Sequence, residues 1–179
     1  MMGGLRVIPF NEELRTTVAK SFDCGNSYIN RFLRSTEALN KGIGKTYVCL
    51  AERDGGIVGF YNLSTGYVEQ MVAPQRIEKI GGSIHINHFA LDNRYHGCKV
   101  VDGPETFYLS DWLLSDCLAL IEHIREIFVG FSFVTLWSTK EGHPLYLRNG
   151  FEDLEGDMAF TSAEGESQCY PMYLALDEE

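Results

Sequence analysis

The residues of this chain that can move protons fall into two groups. The first is a short run at residues 145–151, Leu-Tyr-Leu-Arg-Asn-Gly-Phe. It reads as one helical turn closed by a glycine, with Tyr146 at a fixed offset before Gly150 and Phe151. By itself, a tyrosine near a helix end is a packed aromatic with a wet hydroxyl. The second group is made of bases on strand-like segments that can line a cleft: His85, His88 and Glu69. Imidazole titrates near neutral pH, which makes a histidine the chemically easiest proton acceptor. Strand histidines also serve structural roles, and a chain of waters can replace a single base. His96 and His143 belong to loop surfaces. No pair of histidines has the H-x-x-x-H spacing of a metal site, so no metal is expected. Cys98 lies in a glycine-containing loop where it can oxidise, and no catalytic thiol is expected.

The rest of the chain bounds what such residues can serve. Its 179 residues suit a single domain spanning 1–179, large enough to bury a core without disulfides or metal. The five cysteines (Cys24, Cys49, Cys98, Cys117 and Cys169) are scattered and odd in number, as expected of free thiols in a reducing compartment. The first residues lack the apolar run of a signal peptide, and the apolar stretch 127–137 is too short to span a bilayer. The expectation is a cytoplasmic protein with no membrane partner. Residues 1–90 carry ten Lys/Arg against eight Asp/Glu, whereas 91–179 carry five against seventeen, which leaves the chain at −10. That balance argues against a broad nucleic-acid surface, which needs clustered cations to replace counterions. An acidic half can draw in a cationic amine, or can simply be a solvated surface.

Patterning predicts one α/β domain. Residues 5–9 read as a strand, and Asn11 as the cap of a helix to about Lys20. Asp23 to Asn26 start a second helix, with apolar spacing to about Asn40. Residues 46–53 and 57–69 form a hairpin around Asp54-Gly55-Gly56. Pro74 and the Gly81-Gly82 pair mark 71–82 as a loop, 84–91 is a strand, and 92–107 is irregular. A long helix from Ser110 or Asp111 ends at Gly130, and a strongly apolar strand follows at 131–137. The short helix 142–149 and closing strands at 158–161 and 169–176, around Gly165, complete the chain. A single helix crosses between the strands at 84–91 and 131–137, so these should be parallel neighbours.

This order, with Tyr146-x-x-x-Gly150-Phe151, resembles the GNAT superfamily of N-acetyltransferases over nearly the whole chain. It is similar to the branch in which Phe22-Asp23-Cys24-Gly25-Asn26 precedes the second helix. In that branch Thr46-Tyr47-Val48 opens the hairpin, residues 58–64 fill its second arm, and a strand ends in Phe89-Ala90-Leu91-Asp92. The branch holds small-molecule and protein acetyltransferases and toxins that acetylate aminoacyl-tRNA. The resemblance implies a mixed central sheet of six to seven strands, about four flanking helices, and a splayed parallel strand pair. It also implies acetyl-CoA as co-substrate, with its acetyl group passed directly to a primary amine of a small molecule or protein in a ternary complex. A homodimer is compatible with it. Two alternatives stand beside this: a toxin acting on aminoacyl-tRNA, and a non-catalytic acyl-CoA-binding module.

The resemblance also assigns residues. Tyr146 would protonate the leaving sulfur; a phenol of pKa ~10 suits a thiolate whose acid has pKa ~8.5. Amides of Phe89, Ala90 and Leu91 would pair with the pantetheine arm and the thioester oxygen. His88 and Glu69 are candidate bases. In the family a loop of form Gln/Arg-x-x-Gly-x-Gly/Ala holds the pyrophosphate with its amides and the next helix N-terminus. Here it is matched by Arg94-Tyr95-His96-Gly97-Cys98-Lys99. Lys99 stands where glycine or alanine is expected, and about ten further residues precede the next helix. Lys99 can offset that departure by placing a charge on a phosphate.

Overall fold

A computed structural model describes residues 4–161 and 169–176. In chain order its elements are β1 (Leu5–Pro9), α1 (Glu12–Thr17), α2 (Ser27–Arg34), β2 (Lys45–Ala51), β3 (Ile57–Ala73) and β4 (Arg76–Leu91). There follow β5 (Lys99–Asp102), β6 (Glu105–Tyr108), α3 (Leu109–Ile127), β7 (Phe133–Ser138), α4 (His143–Arg148), β8 (Glu152–Asp153), β9 (Met158–Phe160) and β10 (Tyr170–Ala175). Among the described residues eight strands form a mixed, mostly antiparallel sheet in the order β1-β2-β3-β4-β7-β10-β8, with β9 on β3. Strands β5 and β6 form a separate ladder. The expected parallel pair is present: β4 lies along β7 from Ser83↔Phe133 to Ile86↔Leu136. That ladder ends at Ile86, although β4 continues to Leu91 and β7 to Ser138.

The chain packs as two compact units, 1–63 with 88–118 and 64–87 with 119–179. In the first, both short helices start on asparagine caps. Asn11 Oδ1 accepts from the Leu14 amide at 2.9 Å, and Asn26 Oδ1 from Tyr28 and Ile29 at 3.0 and 3.2 Å. Each cap satisfies donors that a helix start leaves open. Helix α2 and the segment before it lay Phe32, Leu33 and Phe22 onto Val48, Leu50, Ile57 and Phe60 of the strands. Phe22 meets Phe60 edge-on at 5.4 Å. Side chains of this size contribute about 1.5–3 kcal/mol each when buried. Gly59 is required by close approach: a Cβ there would stand 2.8 Å from Ala90 O and from the Leu91 and Leu113 side chains. In the second unit, alternate residues of the parallel pair (Ile84, Ile86, Val134 and Leu136) are buried with Ile121 and Met172.

Several expected boundaries move. The second helix stops at Arg34, not near Asn40, because Ser35 turns extended and its hydroxyl caps a separate 3-10 turn at Thr36–Leu39. The first helix likewise gives way to a 3-10 turn at Ala19–Ser21. The loop expected at 71–82 is instead the tip and far arm of a long β3–β4 hairpin. Pro74 and Gln75, the latter at φ 63°, make its turn. Gly81 does not break the strand; a Cβ there would meet the Phe133 ring at 2.8 Å, so the glycine makes room for a neighbour. The segment 92–107 is not irregular but holds a 3-10 turn and the β5–β6 hairpin. The two-residue strand β8, absent from the pattern reading, pairs Glu152 and Asp153 with β10. Gly165 lies outside the described residues. All five cysteines are free thiols. No described helix is long and apolar enough to cross a membrane.

Candidate active site

Tyr146 owes its place to the end of α4. The Phe151 amide donates to Tyr146 O at 3.1 Å and the Gly150 amide to Leu147 O at 3.2 Å. These are the two bonds of a Schellman cap, with Gly150 in the left-handed conformation at φ 89°. Such a cap favours an apolar contact between the residues at its two ends, and here the Tyr146 and Phe151 rings meet at 5.6 Å, near perpendicular. The Tyr-x-x-x-Gly-Phe spacing is thus the spacing of a helix stop. It buries the Tyr146 side chain and fixes its direction. Gly142, the residue before α4, leaves room on the other side: a Cβ there would lie 3.4 Å from the Tyr146 ring.

The same unit holds a row of polar side chains at alternate positions of β4. His85 is buried opposite Thr135 in the parallel ladder, with Nδ1 2.9 Å from Thr135 Oγ1. Phe160 lies 5.4 Å from both His85 and Trp137, ring to ring. Asn87 exchanges hydrogen bonds with Ser64 at 3.0–3.1 Å. Ser83 Oγ is buried and has no hydrogen-bond partner among the described residues, an unusual and costly state for a hydroxyl. Glu69 is half-buried on β3, opposite Ala159 of β9.

The other unit holds the remaining candidates. His88 sits in an aromatic nest, its ring 4.0 Å from Phe32, 5.9 Å from Tyr28 and 6.5 Å from Phe60. Burial there lowers its pKa to about 4, so it is neutral at pH 7. Ala90 and Leu91 are buried, Phe89 is partly so, and the chain turns at Asp92 into the Arg94–Lys99 loop.

Asp92, a residue the sequence reading left without a role, organises that turn. It is almost fully buried. Its carboxylate accepts from the Arg94 amide (3.0 Å), from Arg94 Nε (2.7 Å) and Nη2 (3.0 Å), and from the Asp23 amide (3.0 Å). Burial alone would raise its pKa, but these donors and the guanidinium charge hold it below the ordinary carboxylate value. Asp23 in turn accepts from the Gly25 amide and from Asn30 Nδ2, both at 2.8 Å. The Phe22-to-Asn26 segment and the Asp92–Arg94 turn are therefore stitched together. Asp92→Asn places an amide group against these donors and is expected to cost about 2–3 kcal/mol, read as a lower urea midpoint at unchanged slope. The carboxylate's contribution holds above pH ~4 and fades as pH falls through its lowered pKa.

Within the loop, most amides are already used. Arg94, Tyr95, His96 and Cys98 donate to Asp92 Oδ1, Asp92 O, Asn93 O and Tyr95 O respectively. The His96 ring lies 3.1 Å from Leu91 O, and Gly97 adopts φ 73°. The extra residues before the next helix do not displace it. They fold into the β5–β6 hairpin, and the Leu109 amide returns to Cys98 O at 2.9 Å. Helix α3 therefore begins beside the loop. Among the described residues no group of three or more His, Cys, Asp or Glu is placed to hold a metal ion.

The fold of this chain recurs in solved structures. A bacterial toxin matches with a TM-score of 0.72 at 17% identity, over 97% of this chain and 91% of the toxin's. The fold is that of the GNAT N-acetyltransferases. A structure of AtaTR bound with acetyl-CoA shares this GNAT fold with a TM-score of 0.70 at 15% identity, over 96% of this chain and 93% of that one. AtaT complexed with acetyl-methionyl-tRNAfMet matches with 0.66 at 16% identity, over 88% and 94%. No protein-family model matches the chain, and no curated protein does.

Proposed function

We propose that this chain is an acetyl-CoA-dependent N-acetyltransferase in which residues 1–179 act as one catalytic domain, its acceptor a primary amine of a small molecule or protein. The observation that carries the proposal is the Schellman-capped Tyr146 on the GNAT fold, a buried phenol whose direction the helix stop fixes. In this mechanism a neutral amine attacks the thioester carbon. The C–S bond breaks, and Tyr146 hands its proton to the departing sulfur. Amides of Phe89, Ala90 and Leu91 support the pantetheine arm and the carbonyl oxygen as charge develops. The loop from Arg94 through Tyr95, His96, Gly97 and Cys98 to Lys99 takes the pyrophosphate. The Asp92 network preorganises this loop, but it also occupies the Arg94 guanidinium, so Lys99 carries more of the phosphate contact.

For the base, the geometry favours His85 over His88. A group with pKa near 4 is poorly matched to taking a proton from an amine at neutral pH. His85 lies beside a hydroxyl, in a row with Ser83 and Asn87 that reads as an acceptor-handling face. Glu69 remains the carboxylate candidate. The likeness to AtaT complexed with acetyl-methionyl-tRNAfMet favours a second reading, in which the amine belongs to an aminoacyl-tRNA. The net charge of −10 weighs against it.

The test is calorimetric titration with acetyl-CoA, followed by thiol release across a panel of amines and aminoacyl-tRNAs. Binding together with amine-dependent thiol release supports the enzyme. Release only with aminoacyl-tRNA selects the second reading. Binding with no release from any acceptor leaves the non-catalytic module.

A further inference from the structure

The β5–β6 hairpin has no place in the reading above. It rises from Cys98, within the loop to which we assign the pyrophosphate, and returns at Leu109, the first residue of α3. Its ladder pairs Lys99 with Tyr108, Val100 with Phe107, Val101 with Thr106 and Asp102 with Glu105. Strand alternation therefore puts Lys99, Val101, Thr106 and Tyr108 on one face. That face is open: Val101 is 71% exposed and Tyr108 50%. Lys99 Nζ stands 5.0 Å from the centre of the Tyr108 ring. A lone two-stranded hairpin is marginal in water, and exposed valine and tyrosine on it gain from a cover.

Three features identify the occupant. A ring with an ammonium over its face suits a phosphorylated purine, which draws the ammonium onto its phosphate and stacks its base on the ring so uncovered. The face begins where the loop ends, so a ligand held by the loop reaches it by continuing along its own length. The α3 N-terminus already carries Asp111, bonded to Ser110 Oγ at 3.2 Å, so its dipole is partly answered by a carboxylate. This shifts phosphate binding onto Lys99. Glu105 lies at the turn, about 10 Å along the strands from Lys99, so the root of the hairpin is its phosphate-binding end.

We propose that the hairpin seats the 3′-phosphoadenosine end of coenzyme A. Adenine lies against Tyr108 and Val101, and Lys99 pairs with the ribose 3′-phosphate. This rests on the acetyltransferase reading and adds to it a site peculiar to this chain.

The experiment is calorimetry on the full chain with coenzyme A and with 3′-dephospho-coenzyme A. The unsubstituted protein should bind coenzyme A at least tenfold more tightly than the dephospho form. Lys99→Ala should abolish that preference by weakening coenzyme A more than the dephospho form, and the binding that remains for both shows the variant to be folded. Tyr108→Ala should weaken both ligands about tenfold, and Tyr108→Phe should restore them. Equal affinity of the unsubstituted chain for the two ligands overturns the proposal, as does an unchanged preference in Lys99→Ala. No binding of either ligand by the unsubstituted chain overturns the acetyltransferase reading itself, and the hairpin proposal with it.

Discussion

Tyr146→Phe should lower kcat for acetyl transfer by a factor of about 100 or more and leave KM for acetyl-CoA within a few-fold. General-acid catalysis by a positioned side chain contributes about 10²–10⁴ in rate. A lost factor of 100 corresponds to about 3 kcal/mol of transition-state stabilisation. Phenylalanine keeps the ring against Phe151 and keeps the backbone cap, since both Schellman bonds are main-chain. The variant should therefore melt close to the unsubstituted protein. The loss should fall on kcat because the leaving sulfur needs its proton only as the C–S bond breaks. A turnover within fivefold of the unsubstituted enzyme would remove Tyr146 from the chemistry. A large loss accompanied by a lowered melting temperature would make its role one of packing.

The second large effect is on stability. His88 has a pKa of about 4 when folded and ~6.5 when unfolded, because Phe32, Tyr28 and Phe60 exclude the water that a charged imidazole needs. Between these two values the unfolded chain binds the additional proton. Stability therefore falls as pH drops from ~6.5 to about 4, by up to 1.36 kcal/mol per pH unit and about 3 kcal/mol in all, with no contribution above pH ~6.5. Chemical denaturation from pH 7.5 to 4 should show this slope. His88→Phe, which keeps an aromatic in the nest, should flatten it and be at least as stable at pH 4.5 as the unsubstituted chain. An unaltered slope in the variant would mean that another group titrates. The same measurement bears on catalysis, because an activity limb near pH 6.5–7 that survives His88→Phe cannot be that histidine.

Much of the frame was legible because local chemistry and tertiary structure agree there. Asn11 and Asn26 cap their helices as their side chains dictate. The single crossover between β4 and β7 gave their parallel pairing, and Tyr146, Gly150 and Phe151 carry their cap in their spacing. What was misread depended on partners distant in sequence. Gly81 reads as a breaker until Phe133 is seen to fill the space it leaves. Pro74 reads as a loop, although with Gln75 it makes a tight turn between strands of unusual length. The Asp92 network joins residues 69 positions apart, Asp23 and Asp92, and no local signal announces it. The sequence shows His88 as an imidazole on a strand but not the three rings around it.

The hydrogen bond from Leu109 to Cys98 has one more consequence. It brings the two ends of the hairpin within a single peptide contact, so the frame does not register what happens beyond them. Residues can be added to or taken from the arms in cross-strand pairs without moving either the loop or α3. The segment 99–108 is in this sense a socket. Beyond Lys99 its contents can be lengthened, recoloured in charge or exchanged for a bare turn, and the loop and α3 would keep their places in each version.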